Sequence, residues 1–141
     1  MQKTTDQLMN EIQNSHEIEK FLENNNGEFT EEPLCDHLEH LLKEKKLQKS
    51  KVVARSGLNR IYGYQILSGK RVPSRDKIIA LCFGMMLDID ETDDLLKYAG
   101  YNPLYARNKR DSIIKFAISN KKSIFTANEM LFDNDFEILT A

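Results

Sequence analysis

The chain has 141 residues, 40% of them hydrophobic and 30% charged, with a formal net charge of −2 at pH 7. That length suits one domain with a small appendage, and the composition excludes disordered, fibrous and disulfide-scaffold classes. No apolar run approaches the roughly 20 residues that span a bilayer, and the opening residues lead into no apolar signal core, so neither a membrane partner nor secretion is expected.

Residues 4 to about 22 read as helix in one or two pieces, with Thr4 or Thr5 as cap and Leu8, Ile12, Ile18, Phe21 and Leu22 as apolar positions. Asn24-Asn25-Asn26-Gly27 ends the segment, because asparagine and glycine tolerate the left-handed conformation of a helix stop. Residues 1–32 therefore form an acidic helical arm. Pro33 starts a helix running to about Lys46, with Leu34, Leu38, Leu41 and Leu42 in one stripe. His37, His40 and Cys35 share this helix, but they point in different directions and no further ligand follows at metal spacing. No metal is expected.

The next stretch is a helix over about Lys49–Arg55, a turn at Ser56-Gly57-Leu58, and a second helix over Arg60–Leu67. Gln48 stands where Ser or Thr would cap the first helix better, Asn59 caps the second, and Ser68-Gly69 ends it. A short helix, a turn and a second helix with polar, basic and aromatic residues between its apolar anchors is the pattern of a helix-turn-helix. In that motif the second helix lies in a DNA major groove. Charge is segregated in the same place. Residues 1–42 hold ten acids against two cations, whereas residues 43–77 hold eleven cations against Glu44 and Asp76. Salt screens beyond roughly 8–10 Å, so a phosphate backbone senses the local block and not the net charge. Arg60, Ile61, Tyr64 and Gln65 fall on one helix face and are expected to contact bases. Gln65 suits adenine, Arg60 guanine or phosphate, and Ile61 a thymine methyl. Lys49, Ser50, Lys51, Asn59, Lys70 and Arg71, at the helix ends, are expected to hold phosphates.

Ser74 after Pro73 caps a helix over about Arg75–Leu87, expected to be the most buried, in which Cys82 and Met85 serve as core and not as cofactor ligands. Asp90 caps a helix over Glu91–Tyr98, whose first-turn acids suit the helix dipole, and Gly100 closes it. Helices over about 108–120 and 124–132 follow, then an acidic and apolar tail that docks or pairs. Cys35 and Cys82 both lie on apolar helix faces and make no disulfide framework, which suits a reducing cytoplasm. There is no Gly-rich phosphate loop, no catalytic carboxylate pair and no nucleophile beside a base, so neither an enzyme nor a cofactor is expected. The expected fold is all-α: a helical arm (1–32), a core carrying the helix-turn-helix (33–88) and a C-terminal helical extension (89–141).

From Leu34 to about Leu87 the sequence resembles the phage-repressor-like (Xre-type) helix-turn-helix family. The resemblance rests on Val52-Val53-Ala54, Gly57-Leu58, Ile66 and above all Gly69-Lys70-Arg71-x-Pro73-Ser74 before an apolar helix. It implies a compact lambda-repressor-like bundle, a homodimer, and sequence-specific binding of a pseudo-palindromic double-stranded operator by a transcriptional regulator. The run Leu95-Leu96-x-x-Ala99-Gly100-Tyr101-x-Pro103-Leu104 looks like the extended form of such regulators, with an added helical C-terminal half. One position departs from the pattern. Gly63 stands where the family puts Val or Ile, and a helix-interior glycine costs about 1 kcal/mol relative to alanine; the neighbouring Tyr62 is expected to fill the space. The acidic termini and Gly63 suit an alternative, an antitoxin-like or adaptor protein. Such a protein would use the fold mainly to bind another protein, through the N-terminal arm or the C-terminal extension.

Overall fold

The computed structural model describes residues 3–14, 17–24 and 32–140; among them the regular elements are all helices, with no strand. The chain divides into two compact units, residues 1–32 and 33–141. In the first unit, α1 (Thr5–Asn14) starts from a reciprocal cap. Thr4 Oγ1 accepts the Gln7 N–H at 3.1 Å, and Gln7 Oε1 accepts the Thr4 N–H at 2.8 Å. Thr4, not Thr5, is thus the capping residue. In α2 (Ile18–Asn24) Phe21 is buried, but Ile18 and Leu22, like Met9 and Ile12 of α1, are exposed. The expected stop residues Asn25, Asn26 and Gly27 lie outside the described residues.

The second unit carries α3 (Leu34–Glu44), α4 (Lys49–Ser56), α5 (Arg60–Ser68), α6 (Arg75–Gly84), α7 (Ile89–Tyr98), α8 (Lys109–Ser119) and α9 (Ile124–Asp133). Every residue of α6 from Ile78 to Gly84 is buried, and a helix apolar on all sides must be covered on all sides. Helices α4, α7 and α9 cover it. The α4 contact is the closest: a Cβ added at Gly84 would lie 2.4 Å from the Val52 carbonyl oxygen. Arg55 Nε donates to the Gly84 carbonyl across the same seam at 2.9 Å.

Helices α3, α5, α6, α7, α8 and α9 end on one device. A residue takes a left-handed φ, and the N–H after it bonds the carbonyl five residues back, satisfying an orphan acceptor. These bonds run from Leu47 to Leu42, Lys70 to Gln65, Leu87 to Cys82, Tyr101 to Leu96, Lys122 to Ala117 and Phe136 to Leu131, all at 2.8–3.0 Å. Glycine takes the left-handed position in two of them; Lys46, Met86, Lys121 and Asp135 take it in the others. The residue after the stop often packs on the core, as Leu47, Leu87, Tyr101 and Phe136 do. This device corrects the expected span of α6. The helix stops at Gly84, Met86 turns left-handed, and its side chain is 65% exposed. It also moves the next cap. Asp88, and not Asp90, caps α7, accepting the Glu91 N–H at 2.8 Å while the Glu91 carboxylate accepts the Asp88 N–H at 3.1 Å.

Two Arg-Asp dipeptides, one opening α6 and one in the first turn of α8, join in reciprocal pairs. Arg75 holds Asp111 through two bonds of 3.0 and 2.9 Å, and Arg110 holds Asp76 through two of 2.9 Å. Arg75 also donates to the carbonyls of Asn102 and Pro103, and Asp111 accepts the Tyr105 N–H at 3.0 Å. Burial pushes the Asp111 carboxyl up. The hydrogen bonds from Arg75 and the Tyr105 N–H, with the charges of Arg75 and Arg110, outweigh it and hold the group below its ordinary value. The tail docks: Leu139 is buried, and Asn128 on α9 accepts the Leu139 N–H at 2.9 Å and donates to Thr140 at 3.1 Å. One apolar cluster consequently runs from Leu38 to Leu139.

Candidate nucleic-acid interface

Helices α4 and α5 are joined by a turn with few free polar groups. Gly57 takes φ +69°, the buried Ser56 hydroxyl donates to the Val53 carbonyl at 2.6 Å and accepts the Leu58 N–H at 3.3 Å, and Leu58 is buried. Gln48 makes no side-chain cap, as expected of it, and α4 is held by packing of Val52 and Val53. Asn59 Oδ1 accepts the N–H groups of Ile61 and Tyr62 at 3.0 and 3.2 Å. Its side-chain oxygen is therefore committed to the cap, which leaves Asn59 only its amide N–H groups to offer a phosphate.

Gly63 has a structural reason. A Cβ built there would lie 2.7 Å from Val53 Cγ1 and 3.2 Å from Val53 Cγ2, so α5 crosses α4 at the glycine with a valine filling the notch. No space remains for Tyr62 to fill; Tyr62 is half-buried and packs against the core beside it. The departure from Val or Ile is compensated by the partner helix, and the aim of α5 is set by that close contact.

The outward face of α5 brings the expected base-reading residues together. Arg60, Ile61, Tyr64 and Gln65 line one open depression of about 840 Å³, with Lys49, Asn59, Leu67, Ser68 and Lys70. Arg60 is exposed, Ile61 is 69% exposed, and Tyr64 and Gln65 are half-buried. Of the expected phosphate residues, Lys49, Asn59 and Lys70 belong to this lining; Ser50, Lys51 and Arg71 are exposed but do not line it.

The basic block is less available than its sequence implies. Arg55 and Arg75 are tied inside the fold, Lys45 pairs with Glu91, and Lys49 pairs with Glu39 at 3.2 Å. Arg60, Lys51 and Lys70 make no ion pair among the described residues. Arg71 Nε donates to Gln65 Oε1 at 3.1 Å, joining a residue expected at phosphate to one expected at bases. Neither that link nor the Glu39 contact has a local sequence signal, since each joins residues on separate segments.

The other chemistry-bearing groups are occupied otherwise. His37 stacks on Tyr98 with ring centroids 3.8 Å apart, and no group of three His, Cys, Asp or Glu among the described residues could hold a metal ion. Burial pushes the Cys82 thiol up to about 12. No helix among the described residues is long and apolar enough to cross a membrane. Comparison of the chain with protein-family models, curated proteins and solved structures finds no match to any of them.

Proposed function

We propose that the protein is a sequence-specific double-stranded DNA-binding regulator that inserts α5 into a major groove. The observation that carries this reading is the convergence of Arg60, Ile61, Tyr64, Gln65 and Lys70 on one open depression, on a helix whose start is capped and whose crossing with α4 is fixed by Gly63. Cations at both ends of the face suit two phosphate strands, with an apolar and amide-bearing centre suited to base edges. The resemblance to Xre-type regulators supports the same reading and adds a homodimer on a pseudo-palindromic operator. The test is a gel shift with DNA flanking the protein's own gene and with random DNA, over a salt series. Binding should fall steeply with salt, and Gln65→Ala should reduce the preference for the specific fragment by about 1–3 kcal/mol. Absence of any shift at low salt would overturn the reading.

A second reading is an adaptor that binds another protein. It is favoured by a depression of about 780 Å³ between the α6–α7 connection and the end of α8, floored by Phe83, Met86, Ile89 and Ile118. Failure to shift DNA together with stable co-purification of a protein partner would select it.

A further inference from the structure

We propose that Arg71 positions Gln65 and that the two side chains together read guanine, an inference that rests on the DNA-binding reading above. The stop at Gly69 folds the chain back over the end of α5, so the Gln65 carbonyl accepts the N–H groups of Lys70 at 2.9 Å and Arg71 at 3.3 Å and the Ser68 hydroxyl at 3.2 Å. That return brings Arg71 Nε within 3.1 Å of the Gln65 carboxamide. A guanidinium only donates, so the atom facing it must be Oε1; one of its two lone pairs is taken and a positive charge lies beside the other, while both Nε2 donors remain to offer. The Arg71 Nη groups make no hydrogen bond to protein among the described residues. The pair therefore presents Nη and Nε2 donors beside a fixed positive charge, which leaves Oε1 a poor acceptor for any further group that is itself next to positive charge.

In the major groove the complement of a donor pair is guanine, with N7 and O6 both accepting. Adenine fits a free glutamine because Oε1 can accept from N6 while Nε2 donates to N7. Here a cation sits on Oε1 and meets the adenine N6–H₂ donor unfavourably. Holding the carboxamide before encounter also removes a rotamer that binding would otherwise have to order. Arg71 thus acts at the bases through Gln65, and its contribution to the salt dependence is small.

The test is selection of bound duplexes from a random pool with the full chain, its Arg71→Ala variant and its Gln65→Glu variant, followed by binding isotherms over salt. The wild type should enrich guanine at one position. Arg71→Ala should turn that preference toward adenine by at least about fivefold while leaving the salt slope nearly unchanged. Gln65→Glu, which has no donor, should lose the guanine preference. Circular dichroism of both variants checks that the helices remain, and both substitutions lie outside the buried core. Adenine enriched by the wild type would overturn the inference. So would an unchanged base preference in Arg71→Ala with a salt slope lower by about one, the mark of a plain phosphate clamp. A wild type that retains no duplex at low salt would overturn the DNA-binding reading itself, a result distinct from either.

Discussion

Gly63→Ala tests whether the close α4–α5 contact sets how α5 is seated. Alanine should gain about 1 kcal/mol of helix propensity over glycine. Its methyl would sit 2.7 Å from Val53 Cγ1, closer than carbon atoms tolerate, and 3.2 Å from Cγ2, a tight contact. Val53 cannot step aside, because it is buried and β-branched, with one strongly favoured χ1 in a helix. Overpacking of this kind costs about 1–3 kcal/mol, so the single variant should be destabilised by about 1 kcal/mol net. Val53→Ala removes both offending methyls and leaves only Val53 Cβ, 3.5 Å from the new carbon, an ordinary contact. In that background Gly63→Ala should become stabilising by about 1 kcal/mol, a coupling of about 2 kcal/mol across the cycle. Urea denaturation of the four proteins followed by helical circular dichroism measures it. A full propensity gain from Gly63→Ala alone, or the same loss in both backgrounds, would refute the packing account.

Asp111→Ala should cost about 2–3 kcal/mol at neutral pH, because it removes two charged bonds from a partly exposed Arg75 guanidinium, which keeps its two carbonyl acceptors, and leaves the Tyr105 N–H without its acceptor. Asp111 is held below its ordinary value of 3.8, so its contribution is complete above that pH and is lost as pH falls through the lower folded value; denaturation midpoints of the two proteins should converge only in that acid range. Lys46→Gly should raise stability by about 0.5–1 kcal/mol, since a left-handed residue other than glycine is strained and the lysine is exposed; a thermal scan suffices. Glu39→Gln should tighten binding to specific and random duplexes by the same few-fold factor, because it releases Lys49 without touching α5, and isotherms on both duplexes at one salt concentration check this.

The all-helical class, the two-helix unit and its face were legible in the sequence because each rests on local signals. Asn59 before an apolar periodicity, Gly57 and Gly69 at the stops, and Arg60 to Gln65 on one face are all readable within a few residues. What was hidden depends on partners distant in sequence or on unusual residue types. Gly63 looked like a weakness because Val53, its counterpart, sits on another helix. The stop after α6 gave no glycine signal, so Met85 to Leu87 read as helix when Met86 in fact turns left-handed. The count of cations between residues 43 and 77 overstated the field, because Arg75 is bound to Asp111, 36 residues further on, and Arg55 to the carbonyl of Gly84.

The burial of α6 on every side also sets how this unit can come apart. Helix α6 supplies the floor for α4, which in turn seats α5, while α7 and α9 close over its other faces. A fragment ending near Leu87 would uncover α6 wherever α7 and α9 now close over it, and exposing apolar surface is unfavourable at about 25 cal/mol per Å². Residues 33–140 should accordingly melt in one cooperative transition, with amide protons of α4, α6 and α9 exchanging at a common slow rate. The outward face of α5 therefore keeps its aim only while helices far along the chain stay folded, and loosening α9 should loosen it too.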